Sequence, residues 1–144
     1  MRTTIDVDPQ RSAQMARVRG KDTKPELLVR RALHAAGLRF RLQARELPGR
    51  PDIVFRGKRI AIFVHGCFWH RHDDPDCKLA RLPKSRQEFW EPKLAANADR
   101  DRRNVARLVE AGWTVETIWE CQLKGKEPLA DLICRIQNTT RARR

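Results

Sequence analysis

The chain has 144 residues, with 31 Lys and Arg against 18 Asp and Glu, so its formal net charge is +13. This length suits one domain with a single core, and a hydrophobic content of 40% argues against a wholly disordered chain. An excess of positive charge this large favours a polyanionic partner, with nucleic acid ahead of a merely solvated basic surface.

The sequence also limits where the protein is expected to work. No apolar run approaches the roughly 18 residues of a membrane span, and residues 1–22 are too polar for a secretory signal. We therefore expect a cytoplasmic protein. In a reducing compartment its four cysteines are expected to be metal ligands or buried thiols rather than disulfides.

The first two predicted elements are a basic arm and a helix. Residues 1–22 contain several basic residues, including Arg19 and Lys21, and favour a flexible arm that follows phosphates. Thr23 with Glu26 three residues later forms a capping box, so a helix starts there and ends near Gly37.

Strands follow the first helix. Residues 38–43 alternate between apolar and polar and predict a half-buried strand. Residues 52–55 and 59–64 predict a β-hairpin with a three-residue turn, and its second strand is apolar on both faces, as expected at the centre of a sheet.

The second half of the chain predicts a helix from Pro92 to about Ala111, a strand from Trp113 to Glu120 and a helix from about Pro128 to Gln137. Cys134, beside the apolar stripe of the last helix, is expected in the core. Residues 139–144 form a basic tail.

Two geometric expectations come from this order of elements. The hairpin turn puts Asp52 roughly across from Ile62, beside the end of the strand. A strand–helix–strand crossover gives parallel strands, which end on the same side of the sheet. Cys121, just past the last strand, is therefore expected near Cys67, just past the earlier one.

Four residues then form a candidate metal site: Cys67, His72, Cys77 and Cys121. Three thiolates and an imidazole are a typical tetrahedral set for structural zinc, which would hold the polar loop after the central strand. In the alternative, Cys121 is a buried core thiol and Cys77 a loop thiol.

A second constellation suits phosphodiester hydrolysis: Glu26, Asp52, His65 and His70. A carboxylate such as Asp52 can hold Mg²⁺, and a neighbouring histidine can activate water near neutral pH. Each residue also has a simpler explanation, since Glu26 can cap its helix, Asp52 can serve the turn, and the histidines can lie on the surface.

The chain resembles the very short patch repair (Vsr) endonucleases, bacterial enzymes that nick DNA beside a thymine–guanine mismatch. The resemblance covers about Arg11 to Cys121 and rests on these motifs: Arg11-Ser12-x-x-Met15, Lys21-Asp22-Thr23, Leu47-Pro48-Gly49-Arg50-Pro51-Asp52, His65-Gly66-Cys67-Phe68-Trp69-His70, Glu88-Phe89-Trp90, Asp99-Arg100-Asp101-Arg102-Arg103 and Trp119-Glu120-Cys121. It implies an α/β fold: a restriction-endonuclease-like α/β/α core with a mixed central sheet and a structural zinc site. The implied domains are a DNA-contacting arm at 1–22, an endonuclease domain at 23–138 and the tail at 139–144.

The resemblance also implies catalytic roles. Asp52 would bind Mg²⁺, with the backbone carbonyl of Val64 as a further contact. His70 would be the general base that activates water, oriented by Glu26, and His65 a second essential histidine near the scissile phosphate. One branch of the family has threonine where this chain has Val64. A backbone carbonyl ligand is retained with either residue, whereas a role for the threonine hydroxyl is not.

Further roles concern DNA and zinc. Phe68, Trp69 and Trp90 would form an aromatic wedge on the major-groove side of the mismatch, and Met15 would reach in from the minor groove. The zinc ligands would be those of the candidate metal site. The stretch from His72 to Cys77 is longer here than in the family, so Asp74 or Asp76 could replace Cys77.

Together these features predict a Mg²⁺-dependent, strand-specific endonuclease that nicks on the 5′ side of the thymine of a T·G mismatch in double-stranded DNA. Such a nick would start very short patch repair of deaminated 5-methylcytosine. The alternatives are a related nickase for another lesion or context, and a zinc-stabilised protein that binds DNA without cutting. A monomer associated with the bacterial nucleoid is expected, with mismatch-repair proteins as further partners.

Overall fold

The computed structural model describes residues 23–70, 72–74, 76–81 and 86–140. The predicted arm at 1–22 and the tail residues 141–144 lie outside these ranges. The elements in chain order are α1 (Lys24–Ala35), β1 (Arg41–Leu42), β2 (Ile53–Phe55), β3 (Ile60–His65), α2 (Gln87–Glu110), β4 (Thr114–Trp119) and α3 (Glu127–Asn138). Short 3₁₀ helices lie at Lys78–Ala80 and Glu120–Lys124. No helix among the described residues is long and apolar enough to span a membrane.

The strands form one mixed sheet in the order β1-β2-β3-β4. Strand β2 runs antiparallel to β1 and β3, whereas β3 and β4 are parallel. The parallel pair confirms the predicted strand–helix–strand unit. Its register pairs Ile60 with Thr114 and His65 with Trp119, so the two strands end level with each other.

Helices cover both faces of the sheet because β3 is apolar on both faces. Every residue of β3 is buried, as predicted. Ile60, Ile62 and Val64 belong to an apolar cluster that includes residues of α1 and α3, while Ala61 and Phe63 belong to another that includes residues of α2. The result is a three-layer α/β/α core around a mixed sheet, which confirms the predicted fold class.

Helix α1 begins directly after Thr23, the predicted N-cap residue. The Oγ1 atom of Thr23 accepts a hydrogen bond from the backbone N–H of Glu26 at 3.4 Å. The helix ends before Gly37, whose φ of 78° suits a glycine at this position. Local sequence therefore determines both ends of this helix.

The strand predicted at 38–43 is much shorter in the structure. Only Arg41 and Leu42 pair with β2, and both are exposed. Gln43 has a left-handed φ of 52°, which turns the chain away after two residues. An alternating pattern therefore marked the position of the strand but not its length.

The hairpin between β2 and β3 differs from its prediction by one residue. Ile53 pairs with Ile62 and Phe55 with Ile60, so the turn has four residues, 56–59, rather than three. The same register carries Asp52 opposite Phe63 instead of Ile62. The expectation that Asp52 lies beside the end of β3 is confirmed, since its Oδ2 atom accepts a hydrogen bond from Val64 N at 2.8 Å.

The prediction that Pro92 starts the second helix is wrong, because α2 begins at Gln87 and contains Pro92. Proline removes one backbone hydrogen bond from a helix interior and usually marks an end. Here the preceding turn carries Trp90, which is only 8% exposed, and burial of this side chain favours the extra helical turn.

Cys134 is also misplaced by the sequence pattern. The buried residues of α3 are Leu129, Leu132 and Ile136, whereas Cys134 is exposed. The apolar stripe of this helix is narrower than its composition indicates.

Gly49 lies in the turn at 47–51, and its φ is +77°. Substitution of this residue tests how closely the turn packs. A methyl group on this residue would lie 2.9 Å from Cβ of Asn104 and 3.1 Å from Cζ of Phe63. We expect Gly49→Ala to lower the free energy of unfolding by about 2–4 kcal/mol, from backbone strain and overpacking together. Urea unfolding followed by circular dichroism measures this.

Substitution of two other glycines distinguishes backbone strain from overpacking. Gly37 has a φ of +78° with nothing within 4 Å, so Gly37→Ala should cost only about 1 kcal/mol. Gly125 also has open space around it and an extended backbone, so Gly125→Ala should be nearly neutral. Equal losses for Gly49→Ala and Gly37→Ala would contradict a role for the close contact with α2.

Candidate active site and metal centre

An acidic pair, Glu26 and Asp52, lies where α1 approaches the ends of β2 and β3. Glu26 is 1% exposed; it forms an ion pair with Arg30 and accepts a hydrogen bond from Gln43 Nε2 at 3.0 Å. Asp52 accepts the backbone N–H of Val64 and interacts directly with Glu26. A buried carboxylate and a partly buried one therefore meet beside the last residues of the central strand.

Burial changes the acidity of this pair. The pKa of Asp52 is raised to about 7, mainly because burial disfavours its charged form, while the hydrogen bond from Val64 lowers it and repulsion from Glu26 raises it further. The pair can therefore retain a proton up to about neutral pH. A divalent cation bound by these oxygens would compensate the charge that burial makes unfavourable.

Two histidines lie at the end of β3 and in the loop that follows it. His65, the last residue of β3, stacks on His70 with ring centroids 3.8 Å apart and planes at 4°. His70 N–H bonds to the carbonyl of Gly66, and its Nδ1 atom lies 2.5 Å from Oδ2 of Asp101 on α2. A carboxylate in this place fixes the orientation of the His70 ring.

His65 differs from His70 in its surroundings. It is 6% exposed, and burial, followed by repulsion from His70, lowers its pKa to about 3. His65 is thus neutral at physiological pH. Its buried Nδ1 atom has no hydrogen-bond partner among the residues that the structure describes.

Asp101 was not singled out by sequence reasoning. In the sequence, residues 99–103 contribute only to the family resemblance, and Glu26 is the residue expected to orient His70. The structure places Asp101 on His70, and Glu26 with Arg30, Gln43 and Asp52. Orientation of His70 by Glu26 stays a prediction. The signal that could have found Asp101 is the acidic residue at a three-turn spacing from Trp90 on the same helix.

An aromatic cluster lies beyond the histidines. Phe68 and Trp69 come from the loop after β3, and Trp90 from the first turn of α2. Their ring centroids are 5.2–6.0 Å apart in edge-to-face arrangements. Phe89, which sequence reasoning missed, adds a fourth ring 5.1 Å from Trp90. The rings predicted as a wedge are thus adjacent, with Trp90 largely buried and the two loop rings half-buried.

Basic side chains flank this cluster. The guanidinium of Arg86 lies 4.9 Å from the Phe89 ring, and Lys93 Nζ lies 5.8 Å from the rings of both Phe89 and Trp90. Asn97 Nδ2 donates to the carbonyl of Trp69 at 3.1 Å and ties the loop to α2. The arrangement places positive charge beside flat apolar faces, as in sites that bind nucleic acid.

A third group, which we term the Cys/His cluster, comprises Cys67, His72, Cys77 and Cys121. One ligand atom from each lies within 4.8 Å of the others. Cys121 N lies 3.4 Å from Cys67 Sγ, and Cys121 Sγ lies 3.5 Å from His72 Nδ1. The expectation that parallel strands bring Cys121 to Cys67 is confirmed, and the cluster could hold a metal ion.

Two thiols of this cluster are weaker acids than a free thiol. Burial raises the pKa of Cys67 to about 12 and also raises that of Cys121. Thiols held so close together become thiolates readily only beside a cation. Cys77 is buried within the cluster, whereas Asp74 and Asp76 are exposed and Asp76 N donates to Asp74 Oδ1. This geometry favours Cys77 as the fourth ligand.

Met15, Arg19 and Lys21 were predicted to contact DNA, and all three lie outside the described residues.

The sequence of the chain is similar to those of known DNA endonucleases. Residues 5–78 match the family model described as DNA mismatch endonuclease Vsr. The chain is 48% identical over 124 residues to the type II nicking enzyme V.XorIIP of Xanthomonas oryzae pv. oryzae, covering 86% of this chain and 87% of the relative. It is 46% identical over 121 residues to the DNA mismatch endonuclease Vsr of Escherichia coli K12, covering 84% and 76%. The type II nicking enzyme V.NmeAIP of Neisseria meningitidis is 39% identical over 133 residues, covering 92% and 89%.

The raised pKa of Asp52 leads to a prediction about stability. An aspartate whose pKa is raised in the folded state stabilises the fold fully below its unfolded pKa and loses this contribution as pH rises through its folded pKa. We expect Asp52→Asn, without Mg²⁺, to be more stable than the natural chain by about 1–4 kcal/mol above pH 7. The advantage should shrink as pH falls from about 7 to about 4.

Urea unfolding at several pH values measures this difference. Asp131→Asn, at an exposed aspartate on α3, is the matched control and should show no such pH dependence. A stability difference for Asp52→Asn that stays constant from pH 4 to pH 8 would contradict the raised pKa.

Proposed function

Because the chain belongs to the Vsr family of DNA mismatch endonucleases, we propose that it is a Mg²⁺-dependent enzyme that nicks double-stranded DNA on the 5′ side of the thymine of a T·G mismatch. Its coarser activity, a nicking endonuclease that acts on DNA, follows from the family and from relatives named as nicking enzymes. The family's restriction-endonuclease-like core agrees with the three layers around the mixed sheet.

One observation supports the finer proposal most strongly. The loop after β3 carries a histidine stacked against the strand end and, next to it, two aromatic side chains that meet Trp90. A reactive group and a group that can separate bases are therefore held a few residues apart. A mismatched pair unstacks more easily than a matched pair, so inserted rings select for it.

Mg²⁺ fits the acidic pair because its donors are oxygens and because their charge is unfavourable without a cation. We propose that Asp52 binds the ion, with the carbonyl of Val64 as a further contact. A bound Mg²⁺ would polarise the scissile phosphate and stabilise the charge that develops on it.

His70 is proposed as the general base. With a proton on Nδ1 donated to Asp101 Oδ2, its Nε2 atom carries the lone pair that can accept a proton from water. The water oxygen bonds to phosphorus and the P–O3′ bond breaks. The products are a 3′-hydroxyl, which takes up a proton, and a 5′-phosphate.

His65 and Glu26 have supporting roles in this proposal. A neutral His65 stacked on His70 does not add a second positive charge to the base and can hydrogen-bond near the scissile phosphate. Glu26 contributes negative charge to the cation site beside Asp52, and its ion pair with Arg30 limits the repulsion between the two carboxylates.

The DNA contacts are proposed in three parts. Phe68, Trp69 and Trp90 stack against bases from the major groove, a contact of about 1–3 kcal/mol per base. Met15 reaches the mismatch from the minor groove. Arg19 and Lys21, within an arm at residues 1–22, bind phosphates, which suits a chain with a net charge of +13.

Zinc is proposed for the Cys/His cluster, whose three sulfurs and one nitrogen suit its tetrahedral preference. Such an ion would hold the loop after β3, in which five of the six residues between His70 and Cys77 are polar. The endonuclease domain is proposed to span residues 23–138, with a basic tail at 139–144.

The biological setting that we propose is very short patch repair. A T·G mismatch that arises from deaminated 5-methylcytosine would make the nick the first step of very short patch repair. The protein would then act as a monomer on nucleoid DNA in the cytoplasm, in contact with mismatch-repair proteins.

A nicking assay tests the activity and its selectivity. On a duplex labelled on the thymine strand, the natural chain should produce a single nick 5′ of the mismatched thymine in the presence of Mg²⁺. A T·A duplex of the same sequence should be cut at least 100-fold more slowly. The Asp52→Ala variant should cut neither duplex. Randomised flanking bases identify the preferred context.

Each other outcome has a distinct meaning. Equal cutting of both duplexes would contradict mismatch selectivity and favour a nickase for another lesion or context. Binding without a nick at any Mg²⁺ concentration would contradict catalysis and leave a zinc-stabilised protein that binds DNA.

The proposed zinc site predicts a bound ion and its ligands. The purified chain should contain one zinc per molecule, and Cys77→Ser should lower zinc affinity by about 10-fold or more with a lower melting temperature. Zinc release to a chromophoric chelator and thermal unfolding measure the two effects.

Cys134→Ser is the matched control, because Cys134 is exposed and is not part of the Cys/His cluster; it should change neither quantity. If Asp74→Asn or Asp76→Asn weakens zinc binding while Cys77→Ser does not, the fourth ligand is an aspartate.

A further inference from the structure

Trp119 lies between the Cys/His cluster and the catalytic histidines. It is the last residue of β4, and its ring stacks on His72 with centroids 4.2 Å apart and planes at 12°. On another side the same ring meets His65 edge to face, with centroids 5.1 Å apart and planes at 71°. One indole thus contacts a candidate metal ligand and an active-site histidine.

The contacts continue beyond His65. His65 stacks on His70, and His70 is held by Asp101. Four rings therefore follow one another without a gap: His72, Trp119, His65 and His70. This series links the Cys/His cluster to the proposed general base.

The backbone holds Trp119 at this position. Trp119 and His65 are partners in the parallel register of β3 and β4, and Trp119 N donates a hydrogen bond to Gln122 Oε1 at 2.8 Å. These backbone contacts fix the position from which the indole projects. The ring itself lies between His72 and His65 and gives the His65 ring a surface to rest against.

Packing of the core does not account for Trp119. The ring is half-buried and belongs to neither of the two apolar clusters formed by the described residues. Its ring partners among these residues are the two histidines. A residue needed only to fill the core would contact aliphatic side chains of those clusters.

We propose that Trp119 is a positioning residue that holds His65, and through it His70, in the orientation needed for catalysis, and that it transmits the fixed position of His72 to them. The proposal rests on the proposed function in so far as His70 acts as the base. Without the indole, the His65 ring loses the surface that sets its tilt, and the stacked pair loses its common orientation.

The test compares Trp119→Leu with Trp119→Phe, which keeps a ring. Trp113→Leu is the matched control, because Trp113 precedes the other end of β4 and packs with the α2-side cluster. All proteins are compared at equal zinc content. We expect Trp119→Leu to lower the single-turnover nicking rate on a T·G duplex by about 10–100-fold, with the duplex Kd changed less than threefold. Trp119→Phe should stay near the natural rate, and Trp113→Leu should do so as well.

Histidine NMR gives a readout that does not depend on cutting. The chain has only four histidines, so ring signals of ¹³C-labelled histidine are few, and exposed His34 is an internal reference. The cross-relaxation signal between the stacked rings of His65 and His70 should be lost in Trp119→Leu. It should be kept in Trp119→Phe and in Trp113→Leu.

Each possible result decides the proposal. A natural rate in Trp119→Leu, or a kept cross-relaxation signal, would overturn it. If the natural chain does not nick, the proposed function fails, and the NMR signal alone decides whether Trp119 orients the rings. If Trp119→Leu does not fold, Trp119→Met, which fills similar space without a ring, is measured in the same way.

Discussion

Strands β3 and β4 run parallel with His65 opposite Trp119, and the functional groups lie around the point where both strands end. Hydrogen bonds between the two backbones bring together residues that are 54 positions apart, such as Cys67 and Cys121. Residues of all three groups alternate along the loop after β3: Cys67 and His72 belong to the Cys/His cluster, Phe68 and Trp69 to the aromatic cluster, and His70 stacks on His65. A shift of one residue in this register would exchange the faces of β4, which would move Trp119 away from His65 and Cys121 away from Cys67.

Burial favours the neutral form of three titratable groups in the site. It raises the pKa of Asp52 and the thiol pKa of Cys67, and it lowers the pKa of His65. In each case the neutral form is favoured although the chain carries a large net charge. Cations bound by the carboxylates and by the thiols would favour the charged forms of Asp52 and Cys67. Cation binding and ionisation are therefore coupled at these two residues.

The sequence predicted those features that depend on short-range chemistry or on connection rules. The cap of Thr23, the buried β3 and the parallel approach of Cys121 to Cys67 are of this kind. The start of α2 was missed because burial of Trp90 outweighs the local effect of Pro92. The partner of His70 was missed because it depends on how α2 is rotated about its axis against the loop, which no periodicity in one segment specifies.

The rotation of α2 has a consequence for how this protein can vary. Trp90, Asn97 and Asp101 are spaced by seven and four residues, so they lie along nearly one line of the helix, and each contacts the loop after β3 or a residue within it. Eleven residues of helix separate the aromatic and the acidic ends of this line by about 16 Å. Deleting or inserting one residue between them would turn one end by about 100° relative to the other. Side chains on the outer face of α2 can therefore change freely, whereas the number of residues in this segment is fixed by the loop it has to match.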